Sequence, residues 1–123
     1  MSETDLRSAI RAAIGAHGTW KLRLKTAITS GRGDITPDIA ACDNRCDFGR
    51  WLYSPDVDAN VRTGLPYKEV RRLHADFHTC AGEVLRQATT GNAAKASSLL
   101  DGDFADKSDK LKTSLSKWMT DLR

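Results

Sequence analysis

Long apolar runs are missing from this chain of 123 residues. No stretch approaches the roughly 18 consecutive apolar residues that cross a bilayer. The first residues, MSETDLRSAIRAAIGAHG, hold no apolar core of the length a secretory signal requires. These two absences point to a cytoplasmic location. Sustained apolar–polar alternation is also missing, and β-branched residues are sparse, so a sheet has little to build on. Cysteine is scarce and odd in number, at three. Without a secretory signal, three cysteines point away from a disulfide framework and towards metal or redox chemistry. Charge of one sign is not concentrated anywhere. The net charge is +3, and Lys and Arg are interleaved with Asp and Glu, so no nucleic-acid partner is expected. Segment 20–25, WKLRLK, mixes basic and apolar residues as a membrane-surface helix does. Alternating charge on a helix is more often a solvated face, and no membrane partner is expected either. Paired carboxylates, a Ser/His/Asp set and a phosphate loop are all lacking, and the inward carboxylates of a di-iron bundle are lacking too. The sequence therefore does not read as an enzyme.

What is there is helical periodicity. One domain over residues 1–123 is the expectation for this length. Such a chain buries roughly two-thirds of its unfolded surface, so a core does not depend on a metal. Leu6, Ile10, Ala13, Ile14, Leu24, Ala27 and Ile28 recur at spacings of three and four, which predicts a helix from Glu3 to Ser30. His17 falls in the middle of that stripe. Two glycines in SGRGD end the helix. Thr36 is a good N-cap and Pro37 suits a first helical position, so a short helix over Pro37–Cys42 follows. Another is expected over Cys46–Tyr53, capped by Asp43 or Asn44. A long helix from Pro66 to Thr90 buries Tyr67, Val70, Leu73, Phe77, Ala81, Val84, Leu85 and Ala88. NAAKASSLL makes a shorter helix to Leu100, DGD reads as a turn, and a last helix covers Phe104–Leu122. Phe104, Leu111, Leu115, Trp118 and Leu122 form its inner face. The expected fold is all-α: a helical bundle with three longer helices plus short ones.

All three histidines and one cysteine fall where a single ion could use them. His74 and His78 stand at i and i+4, so the helix places their side chains one turn apart on one face. His17 lies on the first apolar stripe, and Cys46 begins the second short helix. Each has a plainer reading. A lone histidine on an apolar stripe is usually a hydrogen-bonded core residue, and a lone cysteine is usually inert core. The pair is harder to dismiss, because two buried imidazoles must both stay neutral and both find partners. Three imidazoles and one thiolate suit zinc and close its tetrahedral sphere in the bundle core. A closed sphere leaves no place for a catalytic water, so the site would be structural or sensory. The intervening Ala75, Asp76 and Phe77 lack the Glu that a metalloprotease places within HExxH. Cys46 as a bound thiolate is also the form that oxidants attack, so redox sensing is open alongside metal sensing. Cys42 and Cys80 show no such pattern.

Three blocks carry a resemblance. They are His17-Gly18-Thr19-Trp20, then Cys46-Asp47-Phe48-Gly49-Arg50-Trp51-Leu52, then His74-Ala75-Asp76-Phe77-His78. In this order and spacing they resemble the chemoreceptor zinc-binding domain family across about residues 5–90. The resemblance implies a helical bundle with one zinc held by His17, Cys46, His74 and His78, and with Trp20 and Trp51 packed around the site. It implies a bacterial sensory domain, often within homodimers, that modulates a chemotaxis receptor or a diguanylate cyclase. The signal implied is zinc or an oxidant such as hypochlorous acid. The 123 residues hold no receptor coiled coil and no cyclase domain. The output then lies in the rest of a larger protein or in a partner signalling protein.

Overall fold

A computed structural model describes residues 2–122, and no strand occurs among them. Eight α-helices follow in order: α1 Glu3–Gly18, α2 Trp20–Ser30, α3 Pro37–Ala40, α4 Asp47–Leu52, α5 Ala59–Arg62, α6 Leu65–Thr89, α7 Ala93–Leu99 and α8 Ala105–Asp121. A π-helical turn over Leu100–Phe104 joins the last two.

Helix α1 starts on a reciprocal cap. Ser2 Oγ accepts the Asp5 N–H at 3.0 Å, and the Asp5 carboxylate accepts the Ser2 N–H at 3.3 Å. The single helix expected over Glu3–Ser30 is divided at Thr19. Its N–H bonds the Ala16 carbonyl at 3.3 Å, and its hydroxyl bonds the same oxygen at 2.7 Å. That local bonding competes with the regular ladder just after Gly18, where helix propensity is lowest. The inward stripe continues across the break: Leu6, Ile10, Ala13, His17, Trp20, Leu24 and Ala27 are all buried. Gly31 ends α2 in the left-handed region at φ 73°.

Helix α6 is the axis of the bundle, and α2, α3, α7 and α8 pack against it. All eight apolar residues expected on its inner face are buried, together with His74 and His78. Thr36 caps α3 as expected, accepting the Ile39 N–H at 3.2 Å. The helix stops at Ala40, two residues earlier than the sequence suggests. Gly82 lets α3 lie close on α6. A Cβ there would stand 2.7 Å from Ala41 Cβ and 2.9 Å from the Pro37 carbonyl oxygen. Glycine inside a helix costs about 1 kcal/mol relative to alanine, and this close approach accounts for its presence.

The last third of the chain differs from expectation at DGD. No turn forms; the π-helical turn carries the chain from α7 into α8. Leu100 and Phe104 flank it and are both buried, with Phe104 5.1 Å from Phe77 by ring centroids. These two apolar anchors hold the segment helical, and the wider turn absorbs the spacing between them. Leu111, Leu115 and Trp118 complete the inner face of α8, while Leu122 is half-buried. Helix α5 has no apolar periodicity and was not visible in the sequence. Among the described residues, no helix is long and apolar enough to cross a membrane.

Candidate metal centre

Four side chains from three helical segments converge in the core. His17 comes from the last turn of α1 and is 6% exposed, while His74 and His78, from the middle of α6, are 0% and 1% exposed. Cys46 comes from the start of α4 and is half-buried. It does not sit behind a cap at Asp43 or Asn44, as the sequence suggests. Cys46 is itself the N-cap, with extended backbone, and its Sγ accepts the Gly49 N–H at 3.3 Å. Gly49 makes this possible. A Cβ at that position would stand 1.7 Å from the Asp43 carbonyl oxygen, so only glycine lets segment 43–44 fold against α4.

Backbone carbonyls orient two of the rings. His17 Nδ1 lies 2.8 Å from the Ala13 oxygen, and His78 Nδ1 lies 3.0 Å from the Ala40 oxygen. A carbonyl only accepts, so each Nδ1 carries the proton and each Nε2 presents a lone pair. The two Nε2 atoms face each other at 3.3 Å. Two lone pairs at that distance repel, and a cation between them reverses the sign of the interaction. His74 Nε2 lies 3.0 Å from His17 Nε2 and 3.3 Å from Cys46 Sγ. Its Nδ1 is buried without a hydrogen-bond partner. Packing holds this ring instead, with Phe48 edge-on at 5.2 Å.

The four donor atoms lie within 4.8 Å of one another. Zinc bonds of about 2.05 Å to nitrogen and 2.3 Å to sulfur imply tetrahedral edges of about 3.3 Å for N···N and 3.6 Å for N···S. The N···S edges of 3.3 and 3.9 Å bracket their value, and the N···N edges of 3.0 and 3.3 Å lie at or just below theirs. These four edges, the buried lone pairs and the donor set fit a tetrahedral zinc ion, and the widest separation, 4.8 Å, would close on binding.

Burial dominates the protonation of the cluster. It drives His17 down to about 4, with the Ala13 carbonyl opposing and His78 assisting. It drives His74 down to about 2, helped by His78 and His17. His78 is lowered as well, again by burial, against the Ala40 carbonyl. Burial pushes the Cys46 thiol up, and the Gly49 N–H partly offsets this. At neutral pH the metal-free cluster is thus three neutral imidazoles and one thiol. Metal binding needs neutral imidazole and thiolate, so zinc should release one proton per chain at pH 7, and that proton comes from Cys46. Affinity should then rise about tenfold per pH unit through neutrality, the slope for one proton. Calorimetry in buffers of different ionisation enthalpy counts the protons. Release of two or more would show that the imidazoles are charged before binding.

The sequence profile of the chemoreceptor zinc-binding domain family matches residues 17–85, more than half of the chain and all four donors. The chain belongs to this family. No curated protein and no solved structure matches it. As in the family's name, the core cluster supports a zinc-binding sensory domain. The chemoreceptor zinc-binding fold here surrounds the cluster with aromatic rings. Trp20 stands edge-on to His78 at 5.6 Å, and Trp51 stacks on Phe48 at 5.6 Å. Phe48 in turn meets His17 at 5.9 Å, and Phe77 meets it at 5.1 Å. Both tryptophans thus pack around the site, Trp51 through Phe48. Cys42 and Cys80 are not in the cluster; Cys42 donates to the Asp38 carbonyl at 3.2 Å. The sequence reading missed the Ala13 and Ala40 carbonyls that set two tautomers. Every residue type offers a carbonyl, so no signal marked them.

Proposed function

We propose that this chain, as one domain over residues 1–123, is a regulatory zinc sensor. His17, Cys46, His74 and His78 hold one zinc ion, and its occupancy modulates the output of a chemotaxis receptor or a diguanylate cyclase. The observation that carries this reading is the way the donors are distributed. Three sit on α1 and α6, which are long helices with continuous buried faces. The fourth caps α4, a helix of 6 residues that follows an irregular segment. Metal bonds would pin α4 to the bundle, and loss of the metal would release its start while Phe48 and Leu52 still pack. That is a two-state element biased by a ligand. Four protein donors leave no open position, so the reading is not enzymatic. A reducing, cytoplasmic setting suits a site that needs a free thiolate, and the same reading expects a homodimer.

The exposure of Cys46 favours a second reading. It is the least buried of the four donors, so an oxidant reaching the thiolate would release zinc without any change in zinc supply. Amide chemical shifts and hydrogen exchange, with and without zinc, test the first reading. Faster exchange and shifted resonances over residues 43–53, with α6 unchanged, are expected. Identical spectra in the two states would leave zinc a purely structural element of an interaction module. Zinc release at near-stoichiometric hypochlorous acid, absent in a zinc-binding Cys46→Ser variant, would favour the oxidant reading.

A further inference from the structure

A cavity of about 520 Å³ opens between α1–α2 and the start of α4. Among the four donor residues only His17 and Cys46 line it; His74 and His78 are sealed behind them. Its charged lining is Arg23, Arg45, Arg50 and Asp47; Asp34 pairs Arg23 and Asp47 pairs Arg50, so Arg45 carries the uncompensated charge. Arg23 is held by Asp34 at 3.1 Å and lies 4.0 Å over the Trp20 ring. Arg50 is held by Asp47 at 3.1 Å and by the Arg45 carbonyl at 3.0 Å. The Arg45 side chain is exposed and makes no ion pair among the described residues. The volume is that of a small-ligand pocket. The unpaired Arg45 favours anions, and a guanidinium group takes a carboxylate in a bidentate pair.

We infer that this cavity binds a small carboxylate-bearing chelating anion, which draws the metal out past Cys46. The inference rests on the four-ligand reading above. Arg45 receives a carboxylate at the rim, and the floor offers the one donor that is both accessible and carried on a short helix. His17 is a poor point of attack because its ring is tethered to Ala13. In the exchange, a donor atom of the anion would bond the ion as Cys46 Sγ gives up its bond, and further donors of the same anion would replace His17, His74 and His78 in turn, which stay neutral. The freed thiolate then takes a proton from water, and no electrons are transferred. Zinc leaves this domain at a rate set by the anions around it, and not only by spontaneous dissociation.

The test uses the full chain loaded with zinc and two probes, anionic ethylenediaminetetraacetate and neutral 1,10-phenanthroline. Transfer to the anionic probe should rise linearly with its concentration and slow as salt is added. Arg45→Glu should slow that transfer roughly tenfold, and Arg45→Gln by less, while transfer to the neutral probe changes by under about twofold. Transfer independent of the anionic probe's concentration would overturn the inference. So would equal slowing of both probes by Arg45→Glu. A chain that loads no zinc would instead remove the four-ligand reading on which the inference stands.

Discussion

Cys46→Ala is expected to weaken zinc binding by roughly a hundred- to a thousand-fold. Structural zinc sites bind with about 10–16 kcal/mol, so one donor of four carries roughly 3–4 kcal/mol, or two to three powers of ten. The loss follows from geometry as well as donor count. Sγ lies 3.3 Å from His74 Nε2 and 3.9 Å from His17 Nε2, closing one corner of the donor set. The remaining imidazoles leave that corner to water. Competition against a chelating dye measures the change. Cys42→Ala and Cys80→Ala are the controls, and both should bind as the wild type does. If Cys46→Ala also binds like wild type, the thiolate is not a ligand and the centre must be reassigned.

Gly49→Ala should also weaken zinc binding, by about a power of ten less, without removing any donor. The new Cβ would fall 1.7 Å from the Asp43 carbonyl oxygen and 3.0 Å from Asn44 Cα. Both are backbone atoms, so no rotamer change relieves the overlap and segment 43–44 must move. That segment leads directly into Cys46, and Gly49 itself donates its N–H to Sγ. Overpacking of this kind costs about 3 kcal/mol. Displacing an orienting contact around a metal typically costs 10–100-fold in affinity, and roughly that loss is expected here. Thermal melting and the same dye titration read the two effects separately. Gly15→Ala provides the contrast, because nothing stands within 4 Å of a Cβ there. It sits inside α1, so it should stabilise by up to about 1 kcal/mol through helix propensity. Should Gly49→Ala melt and bind like wild type, segment 43–44 moves freely and Cys46 does not depend on it.

Much of this protein is determined by the sequence alone, and the reason is periodicity. His74 and His78 share a face because four residues make nearly one helical turn, and the stripe from Tyr67 to Ala88 places that face inward. His17 falls on the stripe that begins at Leu6, so its burial follows from spacing as well. Thr36-Pro37 starts α3 because a hydroxyl cap and a preset φ act within one turn. These interactions are local or strictly periodic, and so they can be read along the chain. The resemblance of three short blocks to a zinc-binding family added what periodicity could not, namely that α1, α4 and α6 point their donors at one place.

Tertiary structure decided the rest. Leu100 and Phe104 overrode the turn signal of DGD, because burying both anchors outweighs the local preference of Asp and Gly. Cys46 took the cap position from Asp43 and Asn44 because the Gly49 contact draws that segment against α4. The tautomers of His17 and His78 were set by the carbonyls of Ala13 and Ala40, groups that every residue possesses and no sequence pattern announces. Gly82 reads in the sequence as a weak helix position and becomes intelligible only when α3 is seen lying on it. In the last three cases the deciding contact is made by backbone: that of segment 43–44, of Ala13 and Ala40, and of α3. Side-chain identity is what a sequence records, and backbone proximity is what only the packed chain creates.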